Sequence, residues 1–305
     1  MSINDDKKYD LIIVGGGPAG LSAALVASSN FLSCVVIEKE STVGGQIHLA
    51  DAPVLDVLGQ PASNGPELIA NFQAQVRVRQ EIETKCNTQV IKIERGEEAW
   101  RVECDDGAVL RGRSVLLATG TCPRPWGVEG AEALTSTEHA RDDLAQFAGQ
   151  AVAVVGGGDE ASDLAVCLSE IGANVHLLVR STLRARPRFA EPLLAREDIK
   201  ILENTVVSTM EKAGDTWRLQ LSADQSLEVS EIFVRIGVQR VVPDVHPRPE
   251  FLSDGRLKID DQGRTSVPGL YAAGDLSRRP QQWYVAVAMA DGVMAARAAE
   301  DDAAV

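Results

Sequence analysis

Gly15, Gly16, Gly17, Pro18, Ala19 and Gly20 stand directly behind a short apolar run, Tyr9–Val14, and Glu38 follows 23 residues after Gly15. Glycine at the first, third and sixth places of such a turn lets the chain fold back tightly, lets a pyrophosphate approach the backbone, and lets the next helix pack closely on the sheet. The first amides of that helix are unpaired and suit phosphate oxygens. Pro18 falls in the first helical turn, where its missing donor costs little. A carboxylate at the distance of Glu38 can accept hydrogen bonds from ribose hydroxyls. The chemistry is dinucleotide binding. A glycine-rich turn without a ligand is the plainer alternative, and it accounts for neither the strand before, the helix after nor the spaced acid.

The same order returns further along. An offset of 141 carries Gly15 onto Gly156 and Gly17 onto Gly158, with Ala161 in the place of Gly20. It also carries Ala19 onto Glu160 and Glu38 onto Val179. A carboxylate beside a pyrophosphate repels it unless the side chain turns away, and valine cannot accept a ribose hydroxyl. Arg180, Arg184, Arg186 and Arg188 follow at once. They could hold a phosphate or collect an acidic partner, or they are a solvated charged loop.

These turns need strands before them and helices after them. Leu21–Ala27 has helical character and Cys34–Ile37 is a β-branched strand; Ala151–Val155, Ala161–Glu170 and Val175–Val179 repeat the pattern. Thr88–Glu94 and Ala99–Cys104 alternate as an antiparallel meander, and Val115–Ala118 reads as a further apolar strand. A second small sheet is expected through Trp217–Leu221 and Glu228–Ile236. The tail resumes with a strand at Leu270–Ala273, Gly274 and Asp275, then an Ala-rich helix over Val285–Ala299. The reading is an α/β chain with a discontinuous first domain, 1–120 plus 240–305, and a second domain, 121–239, inserted in it.

The 305 residues suffice for two such domains, and the 4% of aromatic residues leave the cores to Ala, Val, Leu and Ile. A net charge of −14 argues against a general binder of nucleic acid or anionic membranes. Cys34, Cys86, Cys104, Cys122 and Cys167 are too scattered for a disulfide scaffold or a CxxC metal or redox pair, so no metal is expected. The charged start, Met1–Lys8, lacks a signal-peptide core, and no window is long enough to span a bilayer. A reducing, cytoplasmic setting is the expectation.

Over nearly its whole length the chain resembles the low-molecular-weight thioredoxin reductases and their ferredoxin/flavodoxin NADP reductase relatives. The likeness rests on Gly15–Gly20, Glu38, Gly44–Gln46, Ala118–Gly120, Gly156–Ala161 and Val267–Asp275. It implies two Rossmann-like FAD/NAD(P)-binding domains, FAD in the first site, and a homodimer. It implies that Glu38 and Lys39 face the adenosine end of FAD and that Gly45 and Gln46 lie near the flavin. The backbone around Val90 would lie against the adenine, Ala118, Thr119 and Gly120 near the cofactor's inner surface, and Gly274 and Asp275 on the ribityl chain. The helix start near Tyr284 would aim its dipole at the flavin ring.

The chain also departs from that family. The second turn normally carries a small hydroxyl residue where Glu160 stands. The His-Arg-Arg run that grips the 2′-phosphate of NADPH is here Val179, Arg180, Ser181, so Gly156, Gly158, Arg180 and Arg184 are the residues left to hold NADPH. The redox-active Cys-x-x-Cys falls on His139, Ala140, Arg141 and Asp142, with both thiols absent. Disulfide exchange needs one thiolate to attack and a second to resolve, so electrons cannot leave by a dithiol there. His139, beside Glu138, is either a proton shuttle or a surface histidine at a helix start. Cys122 is either near the cofactor or part of a linker with Pro123. Trp283 and Tyr284 fall on the Arg-Gln pair that precedes the last helix in the family, either as a face against the flavin or as packing.

The resulting expectation is an FAD-dependent oxidoreductase that carries electrons from NADPH to a small organic molecule or an electron-transfer protein. One alternative is a flavoenzyme independent of pyridine nucleotides, reduced by an external protein or by its substrate. Another is a flavin-binding protein without catalysis.

Overall fold

The computed structural model describes residues 7–49, 54, 57–60, 64–134 and 141–303. The chain separates into two compact units, one drawn chiefly from the residues up to Cys122 and from Arg240 onward, the other from Pro123–Gln239.

In chain order the first unit opens with β1 (Lys8–Val14), α1 (Pro18–Ser29) and β2 (Cys34–Ile37). The strands β1 and β2 are almost wholly buried, as befits strands covered on both faces. Then come α2 (Gly65–Arg77) and β3 (Glu83–Lys85). Helix α2 begins where the Asn64 side chain accepts the Glu67 amide, with Pro66 in the first turn. A meander of β4 (Val90–Arg95), β5 (Trp100–Cys104) and β6 (Val109–Leu117) follows, then β7 (Thr121–Pro123).

The second unit carries β8 (Ala151–Val155), α3 (Asp159–Glu170), β9 (Asn174–Leu178), α4 (Pro187–Leu194) and β10 (Lys200–Leu202). Its own meander is β11 (Val207–Ala213), β12 (Thr216–Leu221) and β13 (Ser226–Val229), followed by β14 (Glu231–Val234) and β15 (Val238–Arg240). The first unit then closes with β16 (Asp244–His246), β17 (Leu270–Ala272) and α5 (Val285–Asp301).

Each unit is a parallel sheet with helices on one face and a meander toward the other. In the first, β3, β2, β1, β6 and β17 run parallel in that order. One face packs on α1, α2 and α5 through Leu11, Ile13, Val36 and Leu116; the other meets Ile93, Trp100 and Val102. In the second, β10, β9, β8 and β14 are parallel, with α3 on one face and Met210, Trp217 and Leu219 on the other. Helix α5 crosses α1 backbone to backbone: a Cβ on Gly292 would stand 2.0 Å from the Ala19 carbonyl oxygen.

Two expected strands take a different form. Val115–Ala118 is the second half of the single strand β6, which pairs antiparallel with β5 at its start and parallel with β17 at its end, while β1 runs along its other edge. Its burial changes accordingly, from alternating to continuous. In the second unit the expected strand Glu228–Ile236 is broken at Ser230. β13 stays in the meander and β14 pairs with β8. The arginine stretch is also more ordered than a charged loop, because Pro187 starts α4 inside it. No helix among the described residues is long and apolar enough to cross a membrane.

Candidate functional site

At the carboxyl ends of β1, β6 and β17 the chain presents Gly15, Ala118 and Gly274. Gly15 has φ +108°, which a side chain would resist, and a Cβ there would also stand 2.4 Å from the Ala118 carbonyl oxygen. Gly20 packs on the Gly15 carbonyl just as tightly. Helix α1 starts at Pro18 with no side chain capping its first amides. Those amides are therefore open to an anion.

Glu38, buried, reaches back from the end of β2. Its Oε2 accepts the Gly16 amide at 2.7 Å and its Oε1 the Glu40 amide at 2.9 Å. Each carboxylate oxygen keeps a lone pair for a ribose hydroxyl. Lys39 beside it is exposed and pairs with Glu40 at 3.2 Å. The Gly44 amide donates to the Gly16 carbonyl at 2.8 Å, and a Cβ on Gly45 would come within 2.9 Å of the Gly17 Cα. The Gly45–Gln46 segment thus lies directly on the glycine turn. Gln46 donates its amide to Thr121, Thr119 donates its hydroxyl to the Val241 carbonyl, and the Val241 amide donates to the Gly120 carbonyl at 3.3 Å. Val90 turns its side chain into the core and pairs with Cys104 of β5.

Asp275 follows Gly274 and is mostly buried. Burial pushes its carboxyl up to about 6, with Asp291 adding to the effect and Arg240 opposing it. Arg240 donates to the backbone carbonyls of Asp275 and Arg278, at 3.2 and 2.9 Å, and lies 5.8 Å from the Trp283 ring centre. Trp283 Nε1 donates to the Arg278 carbonyl. Trp283 is therefore clamped, whereas Tyr284, the N-cap residue of α5, is exposed. Sequence reasoning missed Arg240, Arg278 and Asp291. The last two form a bidentate pair at 2.8 and 2.6 Å, with the Asp291 carboxylate buried.

Cys122 is half-buried in β7, one residue past the Thr121 that holds Gln46. His139 lies outside the described residues. None of the five cysteines forms a disulfide, and burial pushes the thiols of Cys34 and Cys104 up to about 11, far from nucleophilic at neutral pH.

The second unit repeats the scaffold with different chemistry. The Val179 amide donates to Leu202 of β10, as the Glu38 amide donates to Lys85 of β3. A Cβ on Gly157 would meet Val179 Cγ1 at 2.6 Å. An apolar side chain thus fills the place where Glu38 meets Gly16. Asp159, in the first turn of α3, accepts both the Arg186 amide and its guanidinium, at 2.7 and 2.5 Å. The Arg184 amide donates to the Gly157 carbonyl, which draws the arginine segment over the turn. The four arginines are therefore not equivalent. Arg186 is committed to Asp159, while Arg180 and Arg184 are exposed and have no ion pair among the described residues. Glu160 is exposed.

Residues 9–290 match the family described as pyridine nucleotide-disulphide oxidoreductase. The chain is 30% identical over 285 residues to the ferredoxin–NADP reductase of Lactococcus lactis subsp. lactis, covering 90% of this chain and 88% of that protein. It is 29% identical over 308 residues to an NADH dehydrogenase of Bacillus subtilis, covering 97% of this chain and 59% of that protein. Among solved structures, Lactococcus lactis thioredoxin reductase in its FR conformation superposes with a TM-score of 0.83 at 25% identity, covering 97% of this chain and 99% of that one.

Proposed function

The chain belongs to the pyridine nucleotide-disulphide oxidoreductase family, and on that premise we propose that it is an FAD-dependent oxidoreductase moving electrons from NADPH to a small organic or protein acceptor without a dithiol of its own. The observation that carries this is the convergence of Glu38, the uncapped start of α1 and the Gly45 segment on one turn. FAD held with its adenosine end on that turn would supply the chemistry, hydride acceptance from reduced nicotinamide and release of two electrons to an acceptor. The chain's own residues bind and orient. Glu38 accepts the ribose hydroxyls, the first amides of α1 neutralise the pyrophosphate, and Asp275 holds the ribityl chain. In the second unit, Gly156 and Gly158 make room for the pyrophosphate of NADPH and Arg180 and Arg184 take its 2′-phosphate. Val179 withholds the acid that NADH needs.

The absence of a CxxC pair and the high thiol pKa values of Cys34 and Cys104 support exit of electrons straight from the flavin. Cys122, His139, Trp283 and Tyr284 remain the candidates for contact with the acceptor. A homodimer and a cytoplasmic setting are part of the same proposal.

A second reading is a flavoenzyme reduced without pyridine nucleotide. It is favoured by Val179 under Gly157 and by the Asp159–Arg186 pair at the start of α3. Anaerobic mixing with NADPH and with NADH, followed by flavin absorbance, separates the two. Rapid bleaching by NADPH that is lost in Arg180→Ala/Arg184→Ala supports the first. Bleaching by dithionite alone overturns it. A flavin that is also inert toward a panel of acceptors marks a non-catalytic binder.

A further inference from the structure

Three elements of the first unit meet at Ala19, in the first turn of α1. A Cβ on Gly292 of α5 would stand 2.0 Å from the Ala19 carbonyl oxygen, and a Cβ on Gly274, behind β17, would stand 3.2 Å from Ala19 Cβ. Gly274 has φ +73°, so the corner it makes admits no side chain without strain. The glycine turn, the Gly274–Asp275 corner and α5 are thus packed on one residue.

Asp291, next to Gly292, is buried. Its Oδ2 accepts the Gly274 amide at 3.3 Å and Arg278 Nε at 2.8 Å, and its Oδ1 accepts Arg278 Nη2 at 2.6 Å. Arg240 holds the same loop by its bonds to the Asp275 and Arg278 carbonyls. All of these bonds end on the backbone of Gly274, Asp275 or Arg278, or on the Arg278 guanidinium. The Asp275 carboxyl takes part in none of them and accepts no hydrogen bond among the described residues.

Stability alone does not account for this arrangement. A buried ion pair is often no more stabilising than well-packed apolar residues. Burial pushes the Asp275 carboxyl up to about 6, and Asp291 adds to that rise while Arg240 opposes it. Above that pH two carboxylates are held near one another at a cost to the fold. Such groups cluster at functional sites.

We propose that Asp291 is a positioning residue for FAD, holding the Gly274–Asp275 corner through the Gly274 amide and Arg278 while leaving the Asp275 carboxyl free for the ribityl chain. The proposal rests on the reading of Asp275 as the group that holds that chain. A carboxylate accepts hydroxyl donors at both oxygens, whereas a carboxylic acid keeps one oxygen for its own proton. Uptake of FAD therefore releases the Asp275 proton to solvent below about pH 6. Among the described residues the charges acting on Asp275 are Arg240 and Asp291, so Asp291 helps to set where that release occurs.

The test dilutes the full-chain flavoprotein at a series of pH values and reads released FAD by its fluorescence, which gives the FAD dissociation constant. Wild-type affinity is expected to be about tenfold weaker at about pH 5 than at about pH 8. Asp275→Asn should show no such fall. Asp291→Asn keeps an oxygen for the Gly274 amide and removes the charge, so the fall should shrink to about threefold, with affinity near wild type at the higher pH. Asp291→Ala removes both, and should combine the same shallow fall with about tenfold weaker binding throughout. A variant that merely loosened the fold would lower affinity equally at every pH. The wild-type fall persisting in Asp275→Asn or in both Asp291 variants, or its absence from the wild type, overturns the proposal and leaves the flavin reading standing. A wild-type chain that retains no FAD at any pH overturns both.

Discussion

Glu38 Oε2 accepts the amide of Gly16 at 2.7 Å inside the first unit. The bond ties the end of one strand to the middle of the glycine turn, so the ribose acceptor and the phosphate turn form one rigid piece. Glu38→Val strands the buried Gly16 amide, at about 1–3 kcal/mol, and frees the more exposed Glu40 amide at smaller cost. FAD retention should fall at least tenfold, with Glu38→Gln in between. Flavin absorbance per protein after gel filtration measures it.

Val179→Glu places under Gly157 the carboxylate that Glu38 places under Gly16. The ratio of kcat/KM for NADH over NADPH should rise about tenfold, the scale of one charge-assisted hydrogen bond. Steady-state rates with both nucleotides, using ferricyanide as acceptor, test it. An unchanged ratio would separate the second turn from nucleotide choice.

Asp275 gives a pH signature. The fold raises its carboxyl from 3.8 to about 6, so the folded chain holds this proton more tightly than the unfolded one. That stabilisation is complete below about pH 4 and is lost as the pH climbs through about 6. Asp275→Asn cannot ionise and should flatten the fall in stability between those values. Urea unfolding of the FAD-free protein across that window measures it.

Arg278→Ala leaves the Asp291 carboxylate buried without its bidentate partner. The loss should be about 3 kcal/mol, the low end for breaking a buried pair, because the Arg278 side chain is 32% exposed. Denaturant midpoints of Arg278→Ala and of the double variant with Asp291→Asn check it; the second substitution should recover part of the loss.

What could be read in the sequence was the local chemistry. An apolar run, three spaced glycines and an acid are contiguous enough to define a strand, a turn and a helix, and the 141-residue offset exposed the change from Glu38 to Val179. Features depending on distant pairing were hidden. Nothing near Val109 announces that β6 changes partners halfway. Arg278 finds Asp291 across a helix start, and Arg240 reaches the loop at Asp275 from 35 residues away. The cap of α2 was the legible exception: Asn64, Pro66 and Glu67 carry a helix-start signal that went unread.

The uninterrupted course of β6 and the break at Ser230 give the two units different internal mechanics. Loosening the meander of the first unit pulls on a strand whose other half is wedged between β1 and β17, so amide protons in both layers should exchange with solvent in a single cooperative opening. In the second unit the chain can part at Ser230 while β14 stays paired with β8. There the amides of 207–229 should exchange by a smaller, earlier opening, and one half of the molecule should lose protection in two steps where the other loses it in one.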